Sequence, residues 1–189
     1  VAVTDHNSIE GALNAKDYAK EFPGFVIVRA AEVSTKEGHV LGYGISETIP
    51  RDLTPEETTE RIVAQGGVAV AAHPYRFWSG LGERATLRAE FTIYEVKNAR
   101  TSGRGNRKAM KLAATGGKGG TGGSDGHFTD EIGRAVTIIE ERLDKEDDIL
   151  HALAKKRTKA DGIDRGPKAT LRYVPKSIVQ WMGRGFRRI

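Results

Sequence analysis

The 189-residue sequence contains no cysteine. Disulfide bonds and cysteine-ligated metal centres are therefore excluded, and any metal ion must be held by His, Asp or Glu. No stretch is apolar for the length needed to cross a bilayer, and no secretory signal, internal repeat or coiled-coil heptad is visible. The composition, 38% hydrophobic and 29% charged, is typical of one globular domain with a real core. We expect a cytoplasmic protein with no membrane partner.

Charge is unevenly distributed along the chain. Residues 155–189 contain 11 Lys or Arg against two acidic residues, whereas residues 1–154 contain 19 Lys or Arg and 23 Asp or Glu. A basic tail on a mildly acidic body indicates an anionic partner, which is phosphate, nucleic acid or the body itself. The alternative is a solvated basic end with no partner.

Short apolar runs alternate with helical patterns at least five times. The predicted strands cover 1–3, 25–31, 39–44, 68–72, 91–96, 135–139 and 169–174, and the predicted helices cover 8–22, 54–66, 81–89, 106–115, 144–157 and 177–189. Such alternation favours a parallel α/β sheet, either open or closed into a barrel. In both architectures the functional residues lie at the carboxyl ends of the strands.

One glycine-rich segment carries two candidate metal ligands. Asp125 and His127 stand two residues apart within it, and residues i and i+2 of an extended strand end point to the same side. A carboxylate oxygen with an imidazole nitrogen is a ligand pair for Zn, Mn or Fe. Alone, the segment is more typical of a glycine-rich turn with a capping Asp and a surface His.

The other histidines strengthen the metal hypothesis because they also fall at predicted strand ends. His6 follows the first strand, Glu32 ends the second, His39 opens the third and His73 follows the fourth. Six or seven such ligands at one mouth exceed the needs of one tetrahedral zinc, so two or more metals are indicated. His39 alone is equally compatible with a core or surface role.

Two further residues of this kind carry weaker signals. Asp5 is either a ligand or a helix cap, and His151 lies inside a predicted helix, where a structural role is expected.

At this point the pattern resembles a known family. The motifs are Thr4-Asp5-His6-Asn7, Ala31-Glu32-Val33-Ser34, His39-Val40-Leu41-Gly42-Tyr43-Gly44, Ala72-His73-Pro74, Glu95 with Asn98, and Gly123-Ser124-Asp125-Gly126-His127 with Ile132-Gly133. In order and spacing over roughly residues 1–140 they resemble the PHP (polymerase and histidinol phosphatase) family of metal-dependent phosphoesterases. The resemblance implies a distorted seven-stranded (β/α) barrel, similar to a TIM barrel, with two or three divalent metals at its mouth.

The resemblance also implies roles for single residues. Glu32 looks like the carboxylate that bridges two metals, and His39 and His73 look like its companions on the second metal. Asp125 looks like a ligand of the first metal, and with Glu32 it is the expected catalytic residue. His6 and His127 look like ligands of a third metal, while Asp5 is a doubtful direct ligand.

One departure from the family pattern concerns its opening His-x-His motif, which this sequence lacks. We therefore expect the first barrel strand to be absent from this chain. The expected organisation is a PHP phosphoesterase domain over residues 1–158, with a basic C-terminal extension over 159–189 that packs on the same domain.

The implied chemistry is hydrolysis of a phosphate ester by a hydroxide shared between metals, which are Zn, Mn or Fe. The expected substrate is a small phosphomonoester or nucleotide, bound by Arg76, Asn98 and Arg134, with Arg100 a weaker candidate. The neighbouring aromatic residues Tyr75, Phe77 and Trp78 either stack on a base or pack a loop. The alternatives are a nucleic-acid-binding or exonuclease-like PHP module and a non-catalytic PHP scaffold, and the oligomeric state stays open.

Overall fold

The computed structural model describes residues 1–164 together with Gly166 and Met182. The described strands form one six-stranded sheet and one two-stranded sheet. Strands β1 (Ala2–Val3), β2 (Val28–Thr35), β3 (Gly38–Tyr43), β4 (Val68–Ala71), β5 (Ile93–Asn98) and β6 (Gly119–Gly123) lie side by side in chain order. The antiparallel pair β7 (Ala135–Ile138) and β8 (Lys159–Gly162) lies against β6, where the Gly122 amide donates to Thr137 Oγ1 at 3.0 Å.

Strand β3 runs against both of its neighbours. The β1–β2, β4–β5 and β5–β6 pairs are parallel, whereas β2–β3 and β3–β4 are antiparallel. The expectation of a parallel sheet was therefore wrong for β3. Only residues 36 and 37 separate β2 from β3, and a parallel connection needs a dozen residues or more. The fold is mixed α/β with a curled half-barrel sheet, and closure into a seven-stranded barrel stays a prediction.

Within residues 1–164, five α-helices connect or cover the strands. They are α1 (Glu10–Ala19), α2 (Pro55–Ala64), α3 (Gly82–Arg88), α4 (Gly103–Thr115) and α5 (Glu146–Ala154). Helix α2 begins as predicted, because Thr54 and Glu57 form a reciprocal capping box. Helix α1 differs, since its cap position is Ile9 rather than the expected Ser8. In the described part of the chain, no helix is both long and apolar enough to cross a membrane.

Both faces of β2 are covered, which determines the environment of the candidate site. Val33 pairs with Val40 of β3, and both belong to a buried apolar cluster with Ile62 and Phe91. Because side chains alternate along a strand, the neighbouring Glu32 points to the opposite face, and it is buried there as well. The sheet therefore carries a carboxylate that is almost removed from solvent.

The predicted C-terminal extension is described only at its start. Strand β8 begins one residue past the predicted boundary at 158 and pairs with β7. The strand predicted over 169–174 lies outside the described residues, as does the helix predicted over 177–189 apart from Met182.

Candidate metal centre

Glu32 lies in the middle of β2 rather than at the strand end predicted from the sequence. The chain at His6 pairs with it as an isolated parallel bridge, in which the Glu32 amide donates to the Asp5 carbonyl and the Asn7 amide donates to the Glu32 carbonyl, each at 3.0 Å. Asn7 also holds Ser34, whose amide donates to Asn7 Oδ1 at 2.8 Å. The loop after β1 is therefore fixed against β2, and it brings His6 beside Glu32.

Three imidazoles surround the Glu32 carboxylate. Oε1 lies 2.6 Å from His39 Nδ1 and 2.9 Å from His73 Nε2, and Oε2 lies 3.9 Å from His6 Nε2. The ring centroids of His6 and His39 are 5.0 Å apart, and those of His39 and His73 are 5.4 Å apart. Three histidines from separate parts of the sequence therefore meet around one carboxylate.

The electrostatics of this cluster follow from burial and pairing. Burial alone would raise the pKa of Glu32, but hydrogen bonds from His39 and His73 outweigh it and hold that pKa well below its ordinary value. Burial would lower the pKa of His73, yet its bond to Glu32 gives a net increase. Burial lowers the pKa of His6, which lacks so close a carboxylate contact. Glu32 is therefore the negative centre of the cluster.

The cluster fits a divalent cation. One ligand atom from each of His6, Glu32 and His39 lies within 4.8 Å of the others. Nδ1 of His6 and Nδ1 of His73 are both buried, and neither has a hydrogen-bond partner among the described residues. Buried polar atoms without partners are costly and rare, and imidazole nitrogens beside a buried carboxylate are metal ligands by chemistry.

Asp125 forms a second group of contacts at the end of β6. The Arg76 guanidinium donates to Asp125 Oδ2 in a close ion pair, and Asn98 Nδ2 donates to the same oxygen at 3.1 Å. On the other side, Oδ1 lies 3.6 Å from His127 Nδ1 and 3.9 Å from Arg100 Nε. His127 Nδ1 lies 3.0 Å from the Asp125 carbonyl, and donation to it makes Nε2 the nitrogen with the lone pair.

The two groups belong to one site. The His73 amide donates to Glu95 Oε2, and Asn98 Nδ2 donates both to that oxygen and to Asp125 Oδ2. The six residues predicted as metal ligands therefore lie in one region of the structure, and their role as ligands stays a prediction. Only His6, Glu32 and His39 have mutually close ligand atoms as they stand.

A buried ion pair beside this site was missed by the sequence reasoning. Arg100 Nη1 donates to Glu131 Oε2 at 3.0 Å, and that oxygen also accepts from the His127 amide at 2.9 Å. Both side chains are at most 9% exposed. The pair fixes the segment that carries Asp125 and His127, but nothing in the sequence signals a partnership across 31 positions.

Asn98 has a different role from the predicted one. Its Nδ2 donates to both oxygens of Glu95 and to Asp125, while its Oδ1 accepts from the Arg100 amide and the Thr101 hydroxyl. The side chain is fully buried and its amide is occupied by protein groups. It therefore positions two carboxylates rather than facing a substrate.

Three of the six non-glycine residues with positive φ in the described part of the chain lie at or beside the site. Asn7, His73 and Asp125 have φ angles of 55°, 28° and 47°, in the left-handed region that side chains disfavour. Such positions cost about 1–3 kcal/mol each and occur preferentially at functional sites.

The remaining predicted residues lie apart from the cluster. Arg134 contacts Asp130 of its own loop, with Nε donating to the Asp130 carbonyl at 3.0 Å. The Asp5 carboxylate lies against Gly11 of α1, where an added Cβ would come within 1.8 Å of Oδ2. His151 is an exposed residue of α5 and lies in a helix, as predicted.

Solved structures share this fold. A candidate metal-dependent phosphoesterase from Bifidobacterium adolescentis matches with a TM-score of 0.60 and 15% identity, over 87% of this chain and 86% of that one. An amidohydrolase from Chromobacterium violaceum, solved with sulfate and no metal, matches with a TM-score of 0.62 and 19% identity, over 84% and 86%. PsfC from Pseudomonas syringae matches with a TM-score of 0.57 and 19% identity, over 82% and 66%.

The sequence comparison points to the same family. Residues 103–158 match the family model PHP_C, described as PHP-associated. This match and the shared fold support a PHP family protein. Two relatives come from Methanocaldococcus jannaschii: the uncharacterized protein MJ1587 is 47% identical over 85 residues, and the uncharacterized protein MJ0417 is 30% identical over 158 residues. These matches cover 44% and 78% of this chain, and 49% and 61% of the two relatives.

Proposed function

We propose that this PHP protein hydrolyses a phosphate ester with the help of divalent metal ions. The observation that carries the proposal is the buried Glu32 carboxylate with three imidazoles around it, of which His6 and His39 offer ligand atoms within 4.8 Å of one another and of the carboxylate. His6, Glu32, His39 and His73 would hold the cation, and Asp125 and His127 would complete the set of ligands. Zinc, manganese and iron all suit these donors.

A divalent cation in this site supplies Lewis acidity, which lowers the pKa of a bound water molecule and offsets negative charge on phosphoryl oxygens. The chain's own residues do the rest. Glu32 holds the imidazoles in position, and Arg76 offers a guanidinium fork whose geometry matches phosphate. Arg134, on the loop after His127, is a further candidate for substrate contact.

The surface beside Arg76 supports a substrate that carries a ring. Phe77 and Trp78 follow Arg76 directly, are 86% and 79% exposed, and pack edge to face with ring centroids 4.7 Å apart. Exposed aromatic rings next to a phosphate-binding cation favour a nucleotide or an aryl phosphate over an aliphatic ester. We propose a small phosphomonoester or nucleotide as the substrate.

The test is metal content together with phosphatase activity. Protein loaded with Zn²⁺ or Mn²⁺ is expected to hydrolyse an aryl phosphate and a nucleoside monophosphate faster than glycerol phosphate. Glu32→Gln should lower both metal content and activity, the latter by on the order of 100-fold or more.

Glu140→Gln is the matched control, because Glu140 is an exposed carboxylate paired with Lys159, and it should leave both quantities unchanged. If metal-loaded protein is inert towards all three esters, the chain is a non-catalytic scaffold and the proposal is wrong.

A further inference from the structure

Asp125 is already neutralised by protein groups. Arg76 and Asn98 donate to Oδ2, and Arg100 approaches Oδ1. The carboxylate is 8% exposed and the Arg76 side chain is 17% exposed, so the ion pair is largely removed from water. A carboxylate in this position needs a positive partner, and here the partner is Arg76 rather than an imidazole.

The Arg76 backbone is fixed, whereas its side chain is the part that can move. The Arg76 amide donates to the His73 carbonyl at 2.9 Å, and the Arg76 carbonyl accepts from the Gly80 amide at 3.1 Å. Gly80 is packed so closely that an added Cβ would lie 2.6 Å from the Pro74 carbonyl oxygen. A long flexible side chain therefore extends from a rigid loop, with Asp125 at its end.

We propose that Arg76 exchanges partners: it neutralises Asp125 in the metal-free protein, releases Asp125 when that carboxylate takes up a divalent cation, and then binds the substrate phosphate. This inference rests on the proposed metal site. The Arg76 guanidinium thus neutralises Asp125 before the metal binds, and it neutralises the substrate phosphate after the metal has bound. The guanidinium charge that Arg76 holds against Asp125 Oδ2 opposes the approach of a divalent cation to the same carboxylate.

Two consequences follow from the shared partner. Arg76 competes with metal for Asp125, so its removal strengthens metal binding. Asp125 likewise competes with phosphate for Arg76, so metal binding frees the fork and strengthens phosphate binding. By linkage, the two ligands then favour one another through this residue, in addition to any direct attraction between them.

The first experiment is a titration of chelator-treated protein with Mn²⁺ by calorimetry. Arg76→Met should bind Mn²⁺ at least about fivefold more tightly than the unmodified protein. In the Asp125→Asn background the same change should have no effect, because the competition is gone. Arg142→Met, at an exposed arginine paired with Asp144, is the control and should bind Mn²⁺ normally.

The second experiment measures inorganic phosphate binding to the metal-free protein. Asp125→Asn should bind phosphate at least about fivefold more tightly than the unmodified protein. The double variant with Arg76→Met should lose this gain in phosphate affinity. That result would show that the gain comes from the freed Arg76 guanidinium and not merely from the loss of a negative charge. Asp144→Asn, which removes an exposed carboxylate paired with Arg142, should have no such effect.

Arg76→Lys is a second variant in case Arg76→Met fails to fold, because it retains the positive charge and loses the planar guanidinium. Its affinity for Mn²⁺ should lie between those of the unmodified protein and Arg76→Met. Metal binding that is unchanged or weaker in both Arg76 variants would overturn the inference, as would a phosphate gain that survives loss of Arg76. If the protein hydrolyses phosphate esters but metal and phosphate binding are not coupled through Arg76, only the partner exchange is wrong. If the two are coupled but no ester is hydrolysed, only the proposed function is wrong.

Discussion

Glu95 is a buried carboxylate that lies beside the candidate metal centre but does not belong to the metal-ligand cluster. Its Oε2 accepts from the His73 amide at 2.8 Å, and both oxygens accept from Asn98. Burial is the main cause that raises the pKa of Glu95, and the negative charge of Asp125 raises it further. The charge of His73 and the hydrogen bonds lower it, but only in part, so the pKa is about 7. Glu95 is therefore a source of pH dependence inside the fold.

We expect the stability of metal-free protein to depend on Glu95 between pH 4.5 and 7. The folded state binds more protons than the unfolded state in this interval, because the folded pKa of Glu95 is above its ordinary value of 4.5. Stability from this group is therefore present below pH 4.5 and lost as the pH rises through 7. Relative to Glu95→Gln, the unmodified protein should lose up to about 3 kcal/mol across the interval, measured by urea unfolding of chelator-treated samples. A difference that stays constant with pH would contradict the assignment.

Strand β6 is the element that carries Asp125, and it is almost free of side chains. Its sequence is Gly-Gly-Thr-Gly-Gly. A Cβ added at Gly122 would lie 2.4 Å from the Val136 carbonyl oxygen, and one added at Gly123 would lie 2.5 Å from Glu95 Oε1. The glycines therefore allow β7 on one side and Glu95 on the other to approach the strand.

Gly122→Ala is expected to destabilise the protein by about 1–3 kcal/mol, because the contact at β7 is with backbone rather than a flexible side chain. Gly126→Ala is the matched control four residues later, where an added Cβ would meet nothing closer than 3.5 Å. The control should change the free energy of unfolding by no more than about 0.5 kcal/mol. Denaturant midpoints measure both, and equal losses would show that the approach of β7 does not constrain the strand.

The sequence predicted the elements better than their directions or limits. Helices α2 and α3 and strands β3, β4 and β7 lie within one or two residues of the prediction, because caps, glycines and apolar runs are local signals. Strand β2 was predicted as 25–31 and begins and ends later, so Glu32 moved from a strand end to its interior. Its pairing with β3 and the bridge to His6 decide that extent, and pairing is a long-range property.

The candidate site shows the same division. The histidines and carboxylates were predictable because their residue types and spacing identify metal ligands. Their contacts were not. The partnership of Arg76 with Asp125 and that of Arg100 with Glu131 join residues 49 and 31 positions apart, and only the folded sheet brings them within reach.

At the scale of the whole molecule, metal binding and stability should be linked. A cation that binds the folded but not the unfolded chain stabilises it by about 2.7 kcal/mol at 100 times its dissociation constant. For a chain of this length that corresponds to an increase in melting temperature of roughly 5–10 °C. Scanning calorimetry with and without Zn²⁺ or Mn²⁺ measures the shift. Glu32→Gln should abolish it and Glu140→Gln should retain it, whereas the same shift in Glu32→Gln would place the metal elsewhere.

The site gathers residues from His6 on the first loop to Glu131 beyond the last strand of the large sheet. A chain that emerges amino-terminal end first has His6, Glu32, His39 and His73 available long before Asp125. The centre therefore cannot assemble until nearly all of the described chain has been made. Contacts between such distant positions also form slowly, because loop closure must precede any gain from the contact. The group around Glu32 draws only on residues 6–73, whereas the complete site, with Asp125 and His127, is finished last in time as well as in space.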